Sequence, residues 1–145
     1  MSVEVQRRLQ SELMTMMSSD DDGISAFPSG DTILEWNGTI LGADGTVFDG
    51  CEYSLTFKFS EEYPYKPPVV KFSSPIFHPN VDVHGNICLD ILKEEWSAAY
   101  DVRSILLSIQ SLLDSPNVDS PLNNEAAQLW GDQETYRTRV LSGRV

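Results

Sequence analysis

Near the start of the chain apolar residues recur every three to four positions, at Val5, Leu9, Leu13 and Met16 or Met17, with Glu4, Arg7, Arg8, Gln10 and Glu12 between them. That spacing predicts an amphipathic helix with Ser2 as its N-cap, and it puts Arg7 and Arg8 on the solvent side. Asp20, Asp21, Asp22 and Gly23 end the helix, and residues 27–31 read as loop. The period then changes to two. Cys51, Tyr53, Leu55, Phe57 and Phe59 alternate with Glu52, Ser54, Thr56 and Lys58, the signature of a strand in a sheet covered on one side only. Residues 33–41 and 69–72 read as further strands, and short turns between successive strands argue for an antiparallel meander. Pro64, Pro67 and Pro68 make a stiff connector, with Tyr63-Pro64 a candidate cis bond. Asp101 precedes the broadest apolar pattern, at Val102, Ile105, Leu106, Ile109, Leu112 and Leu113, which predicts a capped central helix packed on the sheet. Residues 114–117 end it, and one or two weaker helices run from Pro121 through Trp130 and Tyr136. The expectation is an α+β architecture in a single domain spanning residues 1–145, with no repeat.

Composition narrows the partners more than the fold. A 145-residue chain with 41% hydrophobic and 22% charged residues suits one soluble globular domain. Its net charge of −12 would repel phosphate backbones and anionic lipid, so basic protein surfaces are the expected partners, not nucleic acid or membrane. No basic-then-apolar leader opens the sequence and no apolar run has membrane length. The two cysteines are therefore expected as free thiols in a reducing compartment, with Cys51 a buried side chain starting a strand.

The chemistry concentrates in residues 78–88. This stretch holds both histidines and Cys88, and Pro79, Asn80, Gly85 and Asn86 break it up. Irregular segments on a rigid scaffold often carry reactive groups, which makes Cys88 the candidate nucleophile. A cysteine hydrolase would need a histidine base. His78, between Phe77 and Pro79, suits a hydrogen-bonding turn role, and His84, before Gly85, suits an exposed turn. Two histidines and one cysteine are too few for a closed tetrahedral metal site, so no metal is expected. A thiol that takes an acyl group from another thioester and passes it to an amine needs no resident base. Its difficult step builds an oxyanion, which a side-chain amide can stabilise. Asn80 could be that donor, or it could hold the loop through backbone hydrogen bonds. Asp90, Asn117, Asp119 and Ser120 are candidates for the surroundings of an incoming lysine, though composition alone leaves them surface polar residues.

Together His78-Pro79-Asn80, the run from Gly85 through Cys88 to Leu92, Trp96-Ser97 and the Tyr63-Pro64-Tyr65-Lys66-Pro67-Pro68 connector resemble the ubiquitin-conjugating enzymes. The resemblance covers nearly the whole chain. It implies an N-terminal helix, a four-stranded antiparallel meander, an active-site loop, a central helix and C-terminal helices. It implies that Cys88 carries ubiquitin as a thioester, with Asn80 serving the oxyanion or the loop and with His78, Asp90, Asn117 and Asp119 around the site. Ser120 matches a position often held by an acid; a serine cannot act as a carboxylate, so Asp119 or the substrate would have to supply that function. By the same resemblance Arg7 and Arg8 belong to the surface that meets the activating enzyme. Tyr65, Ser97, Ala98 and Ala99 belong to the loops that hold RING-type ligases, and Ser25 lies near a rear surface for a second ubiquitin. Residues 23–28 and 96–113 look most like the cyclin-selective subtype, which works with the anaphase-promoting complex. The implied partners are ubiquitin, the activating enzyme, a ligase and protein substrates, in cytoplasm and nucleus. The implied cofactor is none, ATP being used by the activating enzyme. A catalytically silent ubiquitin-binding scaffold of the same fold is the alternative, and a cysteine hydrolase acting without an activating enzyme is a third.

Overall fold

Ser2 opens the first helix, α1 (Val3–Ser18), by accepting the Val5 N–H on its hydroxyl, so the cap expected from the sequence forms. The computed structural model describes residues 2–145. Val5, Leu9 and Met16 are buried, and Met17 is exposed. The polar face departs from expectation at two positions. Glu12 is only 5% exposed, because it lies seven residues after Val5 and so shares the helix's inner stripe. Arg8, one turn earlier, is drawn inward to it and is half-buried, whereas Arg7 remains exposed.

Four strands follow: β1 (Ile24–Pro28), β2 (Glu35–Leu41), β3 (Glu52–Lys58) and β4 (Val69–Phe72). They pair in chain order and antiparallel throughout, as the meander requires. β1 corrects the loop expected at residues 27–31, since Phe27 and Pro28 pair with Asn37 and Trp36. The segment shows no apolar alternation, and its proline is tolerated because β1 is an edge strand. Cys51 also departs from expectation. It lies just before β3, half-buried, and its N–H donates to Phe48 O while its carbonyl accepts from Gly42 N–H.

Trp36, Ile40, Leu55, Phe57, Val70 and Phe72 point from the sheet into the core. Above them runs α2 (Val102–Asp114), capped by Asp101 in a reciprocal box with Ser104, burying Val102, Ile105, Leu106, Ile109 and Leu113. Gly38 lets the helix come close: a Cβ there would lie 3.0 Å from a Phe57 ring carbon and 3.4 Å from a Leu106 methyl. Two short helices, α3 (Asn124–Leu129) and α4 (Gln133–Leu141), close the chain. They bring Trp130 and Tyr136 against Phe48. Tyr63-Pro64 is cis, as the connector's composition suggested. Among the described residues no helix is long and apolar enough to cross a membrane.

Candidate active site

The loop that carries Cys88 leaves the sheet at β4 and is fixed there by backbone contact. Phe72 N–H donates to Gly85 O at 2.9 Å. Gly85 has φ +84°, and a Cβ at that position would fall 2.0 Å from Phe72 O, so only glycine fits. Asp82 builds the tight turn between them, its carboxylate accepting the His84 and Asn86 N–H groups and the Asn86 side-chain amide, each at 2.9 Å. Sequence reasoning passed over Asp82, although an Asp shortly before a glycine turn is a usable signal.

His78 is fully buried. Its Nδ1 accepts Asn80 N–H at 3.0 Å and its Nε2 meets Leu112 O at 2.9 Å. A carbonyl can only accept, so Nε2 carries the proton and the ring is neutral. Burial pushes the imidazole down to about 4, against the pull of the α2 carbonyls. The turn role expected of His78 is what the structure shows. His84 is exposed in the Asp82 turn, also as expected.

Asn80 is fully buried as well. Its Nδ2 donates to Asn117 O and its Oδ1 accepts Asn117 N–H, both at 2.8 Å. Its own carbonyl accepts Cys88 N–H at 2.9 Å. Pro79 O takes the Leu122 and Asn123 N–H groups at 2.8 and 3.1 Å. Residues 78–80 thus grip the cysteine segment on one side and the segment from Asn117 to Asn123 on the other. Asn117, more than thirty residues away in sequence, is held here through its backbone by the Asn80 side chain, something no local pattern could announce.

Cys88 itself is half-buried, between buried Ile87 and half-buried Leu89. Asp90 is exposed two residues on, with its carboxylate accepting Ile91 N–H at 2.8 Å. Asn117 Oδ1 accepts Asp119 N–H at 3.0 Å, and Asp119 and Ser120 are exposed beyond it. A cleft of about 390 Å³ opens beside Ile87, bordered by Pro68, Val69, Lys71, Leu92 and Leu122. Among the described residues no cluster of three or more His, Cys, Asp or Glu could hold a metal ion.

The other candidate residues belong to other segments of the chain. Tyr65 is 78% exposed, and Ser97, Ala98 and Ala99 are exposed too. Their two loops are pinned together by Trp96 Nε1–H, which donates to Pro64 O at 2.8 Å. Ser25 is half-buried in β1 opposite Thr39, on the sheet face away from buried Ala26. Of the two arginines read as solvent-facing, Arg8 is the correction: its guanidinium bonds Glu12, Ala98 O and Tyr100 O.

Residues 8–142 match the family model described as ubiquitin-conjugating enzyme. The chain is also 52% identical, over 141 residues, to the ubiquitin-conjugating enzyme E2-20 kDa of Schizosaccharomyces pombe, an alignment covering 97% of this chain and 80% of that protein.

Proposed function

The chain belongs to the ubiquitin-conjugating enzyme family and is a ubiquitin transferase, and we propose that Cys88 is the residue on which it carries ubiquitin. The observation behind this is a half-exposed thiol in a loop whose buried histidine has both ring nitrogens committed. A free thiol, with a pKa of about 8.5, attacks amides poorly without a base. Exchange between thioesters is nearly balanced and makes no such demand.

In loading, the Cys88 thiolate attacks the thioester carbonyl that joins ubiquitin's C-terminal glycine to the activating enzyme. The new S–C bond forms, the old one breaks, and the activating enzyme's thiolate leaves. In discharge a lysine amine, having given up a proton, attacks the same carbonyl. The isopeptide C–N bond forms, the Cys88 S–C bond breaks, and the departing thiolate takes up a proton. Asn80 is fully buried with one Nδ2 proton held by Asn117 O; it serves the loop or, through its second Nδ2 proton, the oxyanion. Asp90 and Asn117 border the approach of the amine, and Asp119 or an acid of the substrate orients it in place of the serine at 120.

The partners that fit this reading are ubiquitin, the activating enzyme on the exposed face of α1 around Arg7, and a RING-type ligase on Tyr65, Ser97, Ala98 and Ala99. The ligase is the anaphase-promoting complex, a choice that rests on the likeness of residues 23–28 and 96–113 to the cyclin-selective subtype. Ser25 belongs to a rear surface for a second ubiquitin. The chain works without a cofactor of its own, in cytoplasm and nucleus, where thiols stay reduced.

Incubation with ubiquitin, activating enzyme and ATP tests the thiol. A thiol-sensitive adduct is expected, absent in Cys88→Ala and replaced by a thiol-resistant ester in Cys88→Ser. No adduct on the unaltered chain, or one that persists in Cys88→Ala, overturns the proposal.

A further inference from the structure

Adjacent arginines on α1 have opposite fates. Arg7 faces solvent. Arg8 turns its guanidinium across the molecule to a loop some ninety residues later in the chain, where Nη2 donates to Ala98 O at 3.0 Å and to Tyr100 O at 2.7 Å. What aims it is Glu12. This buried carboxylate accepts Arg8 Nε–H at 2.8 Å, Tyr63 O–H at 2.6 Å and Val102 N–H at 2.8 Å. Three donors from three different segments fix the carboxylate, and the carboxylate fixes the plane of the guanidinium. The Arg8 guanidinium carbon also lies 5.6 Å from the centre of the Tyr63 ring.

The loop so held is tied at both ends. Trp96 is bonded to Pro64 O, and Asp101 enters the N-cap box of α2. Between them Ala98 and Ala99 have no polar side-chain atom, so the backbone carbonyls are the available handle. Arg8 grips two of the loop's carbonyls, Ala98 O and Tyr100 O, from α1. We infer that Arg8 is a positioning residue for ligase docking, setting the conformation of residues 97–100. This rests on the reading that a ligase docks on Tyr65 and residues 97–99. Lysine could keep the ion pair with Glu12, but its single ammonium lacks the planar fork that serves the carboxylate and two carbonyls at once.

The experiment uses the whole chain carrying Arg8→Lys, preloaded with ubiquitin and titrated with a RING-type ligase chosen because it stimulates the unaltered chain. Loss of charge-assisted bonds to the loop should raise the ligase concentration for half-maximal discharge about tenfold. The rate at saturating ligase and the ligase-free discharge to free lysine should stay as they were. Amide exchange should quicken at residues 97–100 and hold steady in β2 and β3, which controls for general unfolding. Unchanged exchange at residues 97–100, or an unchanged half-maximal concentration, overturns the inference. Tyr65→Ala and Ala99→Asp separate that failure from failure of the ligase reading. If they abolish stimulation while Arg8→Lys does not, the docking surface stands and the role of Arg8 falls; if they too have no effect, the ligase docks elsewhere and the inference falls with that surface.

Discussion

Two buried polar clusters organise the functional surface, and they are built from opposite materials. Around Asn80 every group is neutral: a side-chain amide, an imidazole without charge and backbone carbonyls, matched donor to acceptor within about 3 Å. Around Glu12 the partners are charged, with a guanidinium and a carboxylate drawn below the surface and a tyrosine hydroxyl and a backbone amide completing the shell. The neutral cluster bonds the Cys88 N–H through Asn80 O, where, on the function proposed above, a fixed charge would favour or oppose the developing oxyanion in every state of the cycle. The charged one joins α1, the Tyr63 connector and α2. Neutral matching gives precise placement without a strong field; buried charge gives strong coupling and a heavy penalty when a partner is lost.

That penalty provides the widest separation between the two. Glu12→Ala removes the acceptor of three donors and leaves the half-buried Arg8 beside an empty site. Breaking a buried pair in this way costs about 3–5 kcal/mol, which urea unfolding of the variant should register. Burial holds the Glu12 carboxyl above its ordinary value in spite of those donors. Glu12→Gln, which keeps an acceptor at the same place, should therefore lose much less. Equal losses in the two variants would mean that the charge, and not the retained acceptor, carries the cluster.

The neutral cluster has its own vulnerability, which is acid. His78 is fully buried and titrates near 4 against an ordinary 6.5. The unfolded chain therefore binds the proton more readily than the folded one between those values. Stability is intact above pH 6.5 and falls on acidification by up to roughly 1.4 kcal/mol per pH unit, accumulating to about 3 kcal/mol near pH 4. Glu12, with its carboxyl raised, acts in the opposite direction, so the measurement is the difference in pH slope between the unaltered chain and His78→Phe. A variant with the same slope would remove the imidazole from the account.

Much of this was legible in the sequence. The alternation from Cys51 to Phe59, the stripe and cap of α2, the single thiol of interest and the turn character of both histidines were present as local pattern. β1 was not, because an edge strand with a half-covered face carries no period-two signal. Glu12 could have been found: the spacing of Val5, Leu9, Glu12 and Met16 places an acid in an apolar stripe with an arginine one turn before it. The pairing of Asn80 with Asn117 could not, since it joins the Asn80 side-chain amide to backbone atoms 37 positions away that any residue at 117 would possess.

Asn80→Ala then divides the two roles that the residue could carry. Loading exchanges one thioester for another and does not use the lysine approach, so charging by the activating enzyme should be unaffected. Discharge to free lysine should fall roughly 100-fold, the usual loss for one oxyanion donor. The Asn117 N–H loses its acceptor by construction, but the Leu122 and Asn123 N–H groups bond to Pro79 O and do not depend on the side chain. Their exchange therefore reports whether the segment beyond Asn117 has moved. A slow discharge with those two amides still protected assigns the loss to the missing donor at the carbonyl. A slow discharge with both amides exposed assigns it to the clamp, because the segment from Asn117 to Asn123 would then have left residues 79–80.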